Sequence, residues 1–150
     1  MTEWQWSSFE KLSAGDLYAV LERRQQVFIL EQQCLYPDID AIDQRAYHLL
    51  GWQERDGERE LVAYLRGVGP GVKYREASLG RVLSAKSVRG TGIGKQLLVE
   101  GVRRIEQQFP GHRIRISAQQ YLERFYAGLG FRVTSEPYSE DGIPHVEMLC

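Results

Sequence analysis

Two cysteines, Cys34 and Cys150, are all that this chain of 150 residues holds. They are too few for a disulfide framework and share no metal-ligand spacing, so reduced thiols and no metal centre are expected. No apolar run approaches the ~20 residues of a membrane span. The opening Met1-Thr2-Glu3-Trp4 does not read as a secretory signal, so a cytoplasmic location is expected and a membrane partner is not. A dominant charge is missing too: 19 Lys and Arg face 20 Asp and Glu, a formal net charge of −1. With no global field, nucleic acid is not an expected partner, and any polyanionic ligand must be held locally by loops and helix ends. No repeat, low-complexity tract or interdomain linker interrupts residues 1–150. With 43% apolar and 26% charged residues, they read as one globular domain.

What is present alternates between two periods. Residues 4–9 start with apolar/polar alternation, the mark of a half-buried strand. Ser13 with Asp16 three residues on opens a helix that the apolar stripe Leu17, Val20, Leu21, Val27, Phe28 carries to about Glu31. Residues 33–43 contain Pro37 and the acids Asp38, Asp40 and Asp43, which argue for a loop. It is either a substrate-contacting loop or a solvated connector. Strands follow at 47–53 and 61–68, joined by an Asp56-Gly57 turn. Another strand spans 77–85. The helix after it, with Ile93, Leu97, Leu98, Val102, Ile105 and Phe109 on one face, ends at Pro110-Gly111. A strand at 113–117, a short helix through Leu122, Phe125 and Leu129 stopping at Gly130, and strands at 131–133 and 145–149 close the chain. The pattern is an α/β domain with a central mixed sheet.

The chain is organised around Gly80-Arg81-Val82-Leu83-Ser84 and the turn Arg89-Gly90-Thr91-Gly92-Ile93-Gly94-Lys95 behind it. Glycines let the backbone approach a ligand closely. The following helix contributes unpaired N–H groups and the positive end of its dipole, and Arg89 and Lys95 bracket the turn with two cations. Such a turn suits an anion, most plainly a phosphate or pyrophosphate. A glycine-rich helix entry without a ligand is the alternative. A nucleoside-triphosphate loop needs Gly four residues before its Gly-Lys pair, and Ser or Thr after it; Arg89 precedes Gly94-Lys95 at that distance and Gln96 follows. A dinucleotide fingerprint belongs to the first βαβ unit, whereas these glycines follow several strands.

Arg89-Gly90-Thr91-Gly92-Ile93-Gly94 resembles the Arg/Gln-x-x-Gly-x-Gly/Ala signature of the GNAT superfamily of N-acetyltransferases. Phe125-Tyr126-Ala127-Gly128-Leu129-Gly130-Phe131 resembles its second signature, Tyr followed after four residues by Gly-Phe. Residues 24–32, 36–40 and His48-Leu49 extend the likeness toward the ElaA-like branch. The resemblance implies a mostly antiparallel sheet splayed between two central strands, 80–84 and 113–117, with helices on both faces. It also implies acetyl-coenzyme A as co-substrate and a primary amine, small-molecule or peptide, as acceptor. A homodimer is left open. In the family, backbone groups at the positions of Val82 and Ser84 pair with the pantetheine arm, and those of Arg89, Gly90, Thr91, Gly92, Ile93, Gly94 and Lys95 hold the pyrophosphate. A backbone N–H near Leu83 faces the oxyanion, and Tyr126 protonates the leaving thiolate. Gln119 stands where the family often has Asn, and Ser84 where it is usually apolar. The implied reaction is direct attack of the amine on the thioester through a tetrahedral intermediate. The alternative is a non-catalytic acyl-coenzyme A sensor or interaction module of the same fold.

An alkyl amine with a pKa of about 10 is only ~0.1% neutral at pH 7, so its deprotonation costs about 4 kcal/mol. A positioned base meets part of that cost. Where some relatives carry Glu on the 113–117 strand, this chain has Ile114. Glu31 and His48 lead the remaining candidates, ahead of Asp38, Asp40 and Asp43, which could instead form an anionic pocket for a cationic amine.

Overall fold

All 150 residues, Met1–Cys150, are described by a computed structural model. The strands are β1 (Glu3–Ser8), β2 (Tyr47–Arg55), β3 (Glu58–Val68), β4 (Ser78–Ser84), β5 (Arg115–Gln119), β6 (Arg132–Val133), β7 (Tyr138–Glu140) and β8 (Ile143–Leu149). The helices are α1 (Ala14–Arg24), α2 (Ile93–Gln108) and α3 (Glu123–Ala127). Ser13 Oγ accepts the Asp16 N–H at 3.0 Å and starts α1. The reciprocal half of the box is absent, because the Asp16 carboxylate turns to Gln5 at 3.1 Å. The helix does run to Glu31, but its last stretch, Gln25–Glu31, widens into a π-helix. That wider turn buries Val27 and Phe28, neighbours in sequence, together.

Strands β1–β2–β3–β4 form one antiparallel sheet in that order. A second sheet runs β5–β8–β6, with β7 also paired to β8. One parallel bridge, Ala77 to Ile114, joins them. The Ala77 N–H reaches the Arg113 carbonyl at 3.1 Å, and the Arg115 N–H reaches the Ala77 carbonyl at 2.9 Å. Past that bridge β4 and β5 separate. The cause lies in β4, where Tyr64 faces Leu83 but Arg66 faces Gly80. Two residues, Arg81 and Val82, therefore oppose Leu65 alone, and Arg81 takes a φ of 51°. This bulge bends β4 away from its neighbour.

Helices cover both faces. Leu49 and Leu65 pack with Ile93, Leu97, Leu98 and Ile105 of α2 on one side, and Leu50, Tyr64 and Leu83 pack with Val20, Val27 and Phe28 on the other. Gly101 lets α2 seat directly on β3, since a Cβ there would lie 2.5 Å from Leu65. The observed architecture is the expected splayed α/β fold, with two shifts. Strand β5 begins at Arg115 rather than 113; Ile114 before it bridges to Ala77 and exchanges both backbone bonds with Cys150 (3.0 and 2.9 Å). The hairpin β7–β8 adds a strand that the polar Ser139-Glu140 did not announce, turning at Asp141 (φ 51°) and Gly142 (φ 79°). No helix is long and apolar enough to cross a membrane.

Candidate active site

A cleft of about 200 Å³ opens where β4 and β5 part. The Ala85 N–H donates to the Val62 carbonyl at 2.7 Å, and Ser84 lies opposite Ala63. By antiparallel alternation the backbone groups of Ser84, and of Val82 two residues earlier, point away from β3 toward the cleft edge. Those of Leu83 point the other way, toward Tyr64, and its side chain is buried in the α1-side core. Leu83 therefore presents no backbone donor to the cleft edge, whereas Val82 and Ser84 do.

At the start of α2, Gly90 (φ 83°) and Gly92 (φ 85°) are left-handed, and Gly92 is the N-cap without side-chain capping. The Gln96 N–H is the first to find a carbonyl, that of Gly92 at 3.2 Å, leaving those of Ile93, Gly94 and Lys95 free. A Cβ at Gly90, Gly92 or Gly94 would meet no protein atom within 4 Å. Free donors, open space and a helix dipole fit an anion such as a pyrophosphate. Buried Ile93 anchors the turn while Lys95 is exposed on it, and the Thr91 hydroxyl is committed to the Val88 carbonyl. Arg89 folds back, donating to the Ser84 carbonyl (2.9 Å from Nη2) and pairing with Glu31 at 2.7 Å.

Tyr126 on α3 is 6% exposed and lines the cleft. Its ring packs edge-on against Phe125 and Phe131, while its hydroxyl makes no hydrogen bond within the chain and is left to the cleft. Burial, with a smaller push from Tyr121, raises its pKa to about 12, so the phenol stays protonated throughout the neutral range. Gln119, at the end of β5, lines the same cleft opposite His145 in register.

The two leading base candidates do not reach this cleft. His48 is fully buried, with Nδ1 2.6 Å from the Tyr64 hydroxyl and Nε2 3.0 Å from the Asp43 carbonyl. Burial lowers its pKa, an effect that its Asp43 contacts only partly offset. Glu31 is held by Arg89. The loop acids turn inward as well. Asp43 is 2.7 Å from Arg24 and 3.0 Å from Arg66, Asp40 chelates Arg66 at 2.8 and 2.9 Å, and Asp38 binds Arg24 at 2.9 Å. Arg81 closes the ring, its Nε 2.8 Å from Asp38 Oδ1 but off the donor direction. The acids thus form no anionic pocket; Arg66 and Arg81 line the cleft in front of them.

Residues 22–150 match the family model for the acetyltransferase (GNAT) domain. The chain belongs to the GNAT acetyltransferase family. It is 37% identical to Escherichia coli ElaA over 99% of this chain and 95% of that protein. A UPF0039 protein of Synechocystis is 38% identical over 97% of this chain and 93% of its own length. The crystal structure of a Pseudomonas aeruginosa acyl-CoA N-acyltransferase superposes with a TM-score of 0.92 at 35% identity, covering 99% of each chain. That of E. coli ElaA gives 0.90 at 36% identity, again over 99% of each.

Within this GNAT fold the structure brings together residues that the sequence reading passed over. Arg66 was detectable as a lone charge in the apolar run Leu61–Val68, a position that demands a buried counter-ion. His145 carried no such signal. It enters the cleft only because β8 pairs with β5, its Nδ1–H donating to the Ile143 carbonyl at 2.7 Å and its Nε2 3.4 Å from Glu140. Lys73, in the β3–β4 connection, also lines the cleft and makes no ion pair.

Proposed function

We propose that this GNAT protein transfers an acetyl group from acetyl-coenzyme A to a primary amine by direct attack. The observation that carries the reading is Tyr126: its ring is buried, and its unpartnered hydroxyl is left to the gap between β4 and β5. A pantetheine arm entering that gap finds the outward backbone groups of Val82 and Ser84, and its pyrophosphate finds the N–H groups of Ile93, Gly94 and Lys95. For the Ser84 carbonyl to pair with it, the Arg89 guanidinium must release that oxygen. Gln119 is placed to bond the arm from the β5 side.

In the transfer the amine nitrogen forms a C–N bond to the acetyl carbon and the C–S bond breaks. Sulfur takes the Tyr126 proton, and the phenolate recovers one from water. The proton lost by the amine passes to His145, whose Nδ1–H is fixed by Ile143 and whose resulting charge is stabilised by Glu140. A Val82 or Ser84 N–H faces the developing oxyanion.

Tyr126→Phe tests this directly. The ring contacts remain and no internal hydrogen bond is lost, so folding and coenzyme A affinity should be unchanged. The rate of thiol release should fall by roughly 10²–10⁴, the usual contribution of a positioned acid. A drop of less than about threefold at saturating substrate would remove Tyr126 from the mechanism.

A further inference from the structure

The cleft has two walls of opposite charge. Arg66, Arg81 and Lys73 stand on the β3–β4 side; Glu140, Asp141 and His145 stand on the β7–β8 side. On the first wall the three aspartates lie behind the guanidiniums and do not line the cleft. Arg66 is 5% exposed, and its Nε makes no bond within the chain. Arg81 binds the Asp38 carbonyl (3.1 Å) and Asp40 (3.2 Å) through Nη2, leaving Nη1 uncommitted, and the Tyr36 ring flanks its guanidinium at 5.3 Å. Lys73 is the cation without a counter-ion. Its pKa is lowered, first by burial of the ammonium against the wall and then by Arg66 and Arg81, with Glu140 pulling the other way, although the residue as a whole is exposed. Arg66 and Arg81 are balanced by the aspartates behind them, so Lys73 leaves this wall one positive charge in excess, with the free guanidinium donors beside it.

Resting on the transferase reading above, we infer that the acceptor is a small zwitterion of amino-acid type. Its carboxylate docks on Lys73 and the free donors of Arg81 and Arg66, and its amine lies beside Glu140 and His145. Arginine donors favour a planar carboxylate, and the β7–β8 wall supplies the negative charge that an ammonium needs before it is deprotonated.

The test uses the full chain with acetyl-coenzyme A and matched triplets: an amino acid, its methyl ester and its decarboxylated amine. Thiol release should favour the free amino acid over both partners by at least about tenfold in kcat/KM, the worth of one charge-assisted hydrogen bond. Lys73→Gln, which breaks no ion pair, should raise KM for the amino acid by roughly tenfold more than for its ester. Equal use of all three amines, or an equal effect of Lys73→Gln on acid and ester, overturns the inference while leaving the transferase reading intact. Melting of the coenzyme A complex with added amino acids separates the two failures. If no amine turns over, yet amino acids stabilise wild type and not Lys73→Gln, transfer is refuted and the zwitterion site stands. If they neither react nor stabilise, the inference is refuted.

Discussion

Replacing Gly92 by alanine isolates what the glycine turn does. Its φ of 85° lies in the left-handed region, where an L side chain costs about 1–2 kcal/mol. Reduced freedom of the unfolded chain returns about 0.4–1 kcal/mol, so a net loss near ~1 kcal/mol and a Tm lower by about 2–4 °C are expected. Nothing in the protein lies within 4 Å of the new Cβ, so steric clash adds nothing. The larger effect is on binding. Relief of the strain rotates the Gly92–Ile93 peptide and turns the free N–H of Ile93 off the anion. Loss of one charge-assisted bond costs about 1.5–3 kcal/mol, roughly a 10- to 150-fold rise in the coenzyme A Kd. Gly94→Ala is the matched control: its φ is ordinary, its Cβ also meets open space, and alanine there should leave Tm equal or slightly raised. Calorimetric titration of coenzyme A against both variants decides. Normal binding by Gly92→Ala, or an equal loss in Gly94→Ala, would refute the assignment of the turn conformation to ligand binding.

Glu31→Gln removes only a half-exposed ion pair with Arg89, worth about 0.2–1 kcal/mol, so kcat should hold within twofold; a loss of ~10² would restore Glu31 as the base. Arg24→Met leaves Asp38 and Asp43 without their buried partner and should cost about 3–5 kcal/mol in denaturant unfolding. The same variant should unfold at higher pH on the acid side. Burial pushes the Asp43 carboxyl up, but Arg24 and Arg66 outweigh it and hold the pKa low. That stability is therefore present above about pH 4 and lost as pH falls through the lowered value, and losing Arg24 moves the loss upward. At alkaline pH the sign reverses. With Tyr126 raised to about 12 from ~10, stability is complete below about pH 10 and lost as pH rises through 12, by about 3 kcal/mol from this group. The alkaline fall in Tm should be shallower in Tyr126→Phe, and an unchanged slope would contradict the burial of the phenol.

Local chemistry made the strand–turn–helix and its open N–H groups readable, because Gly90, Gly92 and the stripe from Ile93 onward act within one short stretch. Tyr126 was readable through its spacing to Gly130-Phe131, and the structure places it on the same gap. Residues whose role depends on long-range pairing were not readable. His145 meets Gln119 only through the β5–β8 register, and Arg81 reaches the cleft from a bulge that no composition announces. His48 misled because its side-chain type suits proton transfer, whereas its position on β2 carries it into the core against Tyr64.

The acidic loop shows why charge counted along a chain says little about the charge a ligand meets. Asp38, Asp40 and Asp43 lie within six residues, and the local balance there is strongly negative. Their partners come from α1, β3 and β4, so folding assembles three carboxylates and three guanidiniums into one neutral ring. A neutral, partly buried ring is no strong source of stability, since desolvation offsets much of its attraction. Its geometric consequence is larger. The carboxylates fix the long side chains of Arg66 and Arg81 from behind, so their remaining donors are immobilised at the cleft before any ligand arrives. Preorganised donors bind an anion without the entropy loss that free arginines would incur. The acids therefore act on the acceptor at one remove, by aiming the cations that meet it.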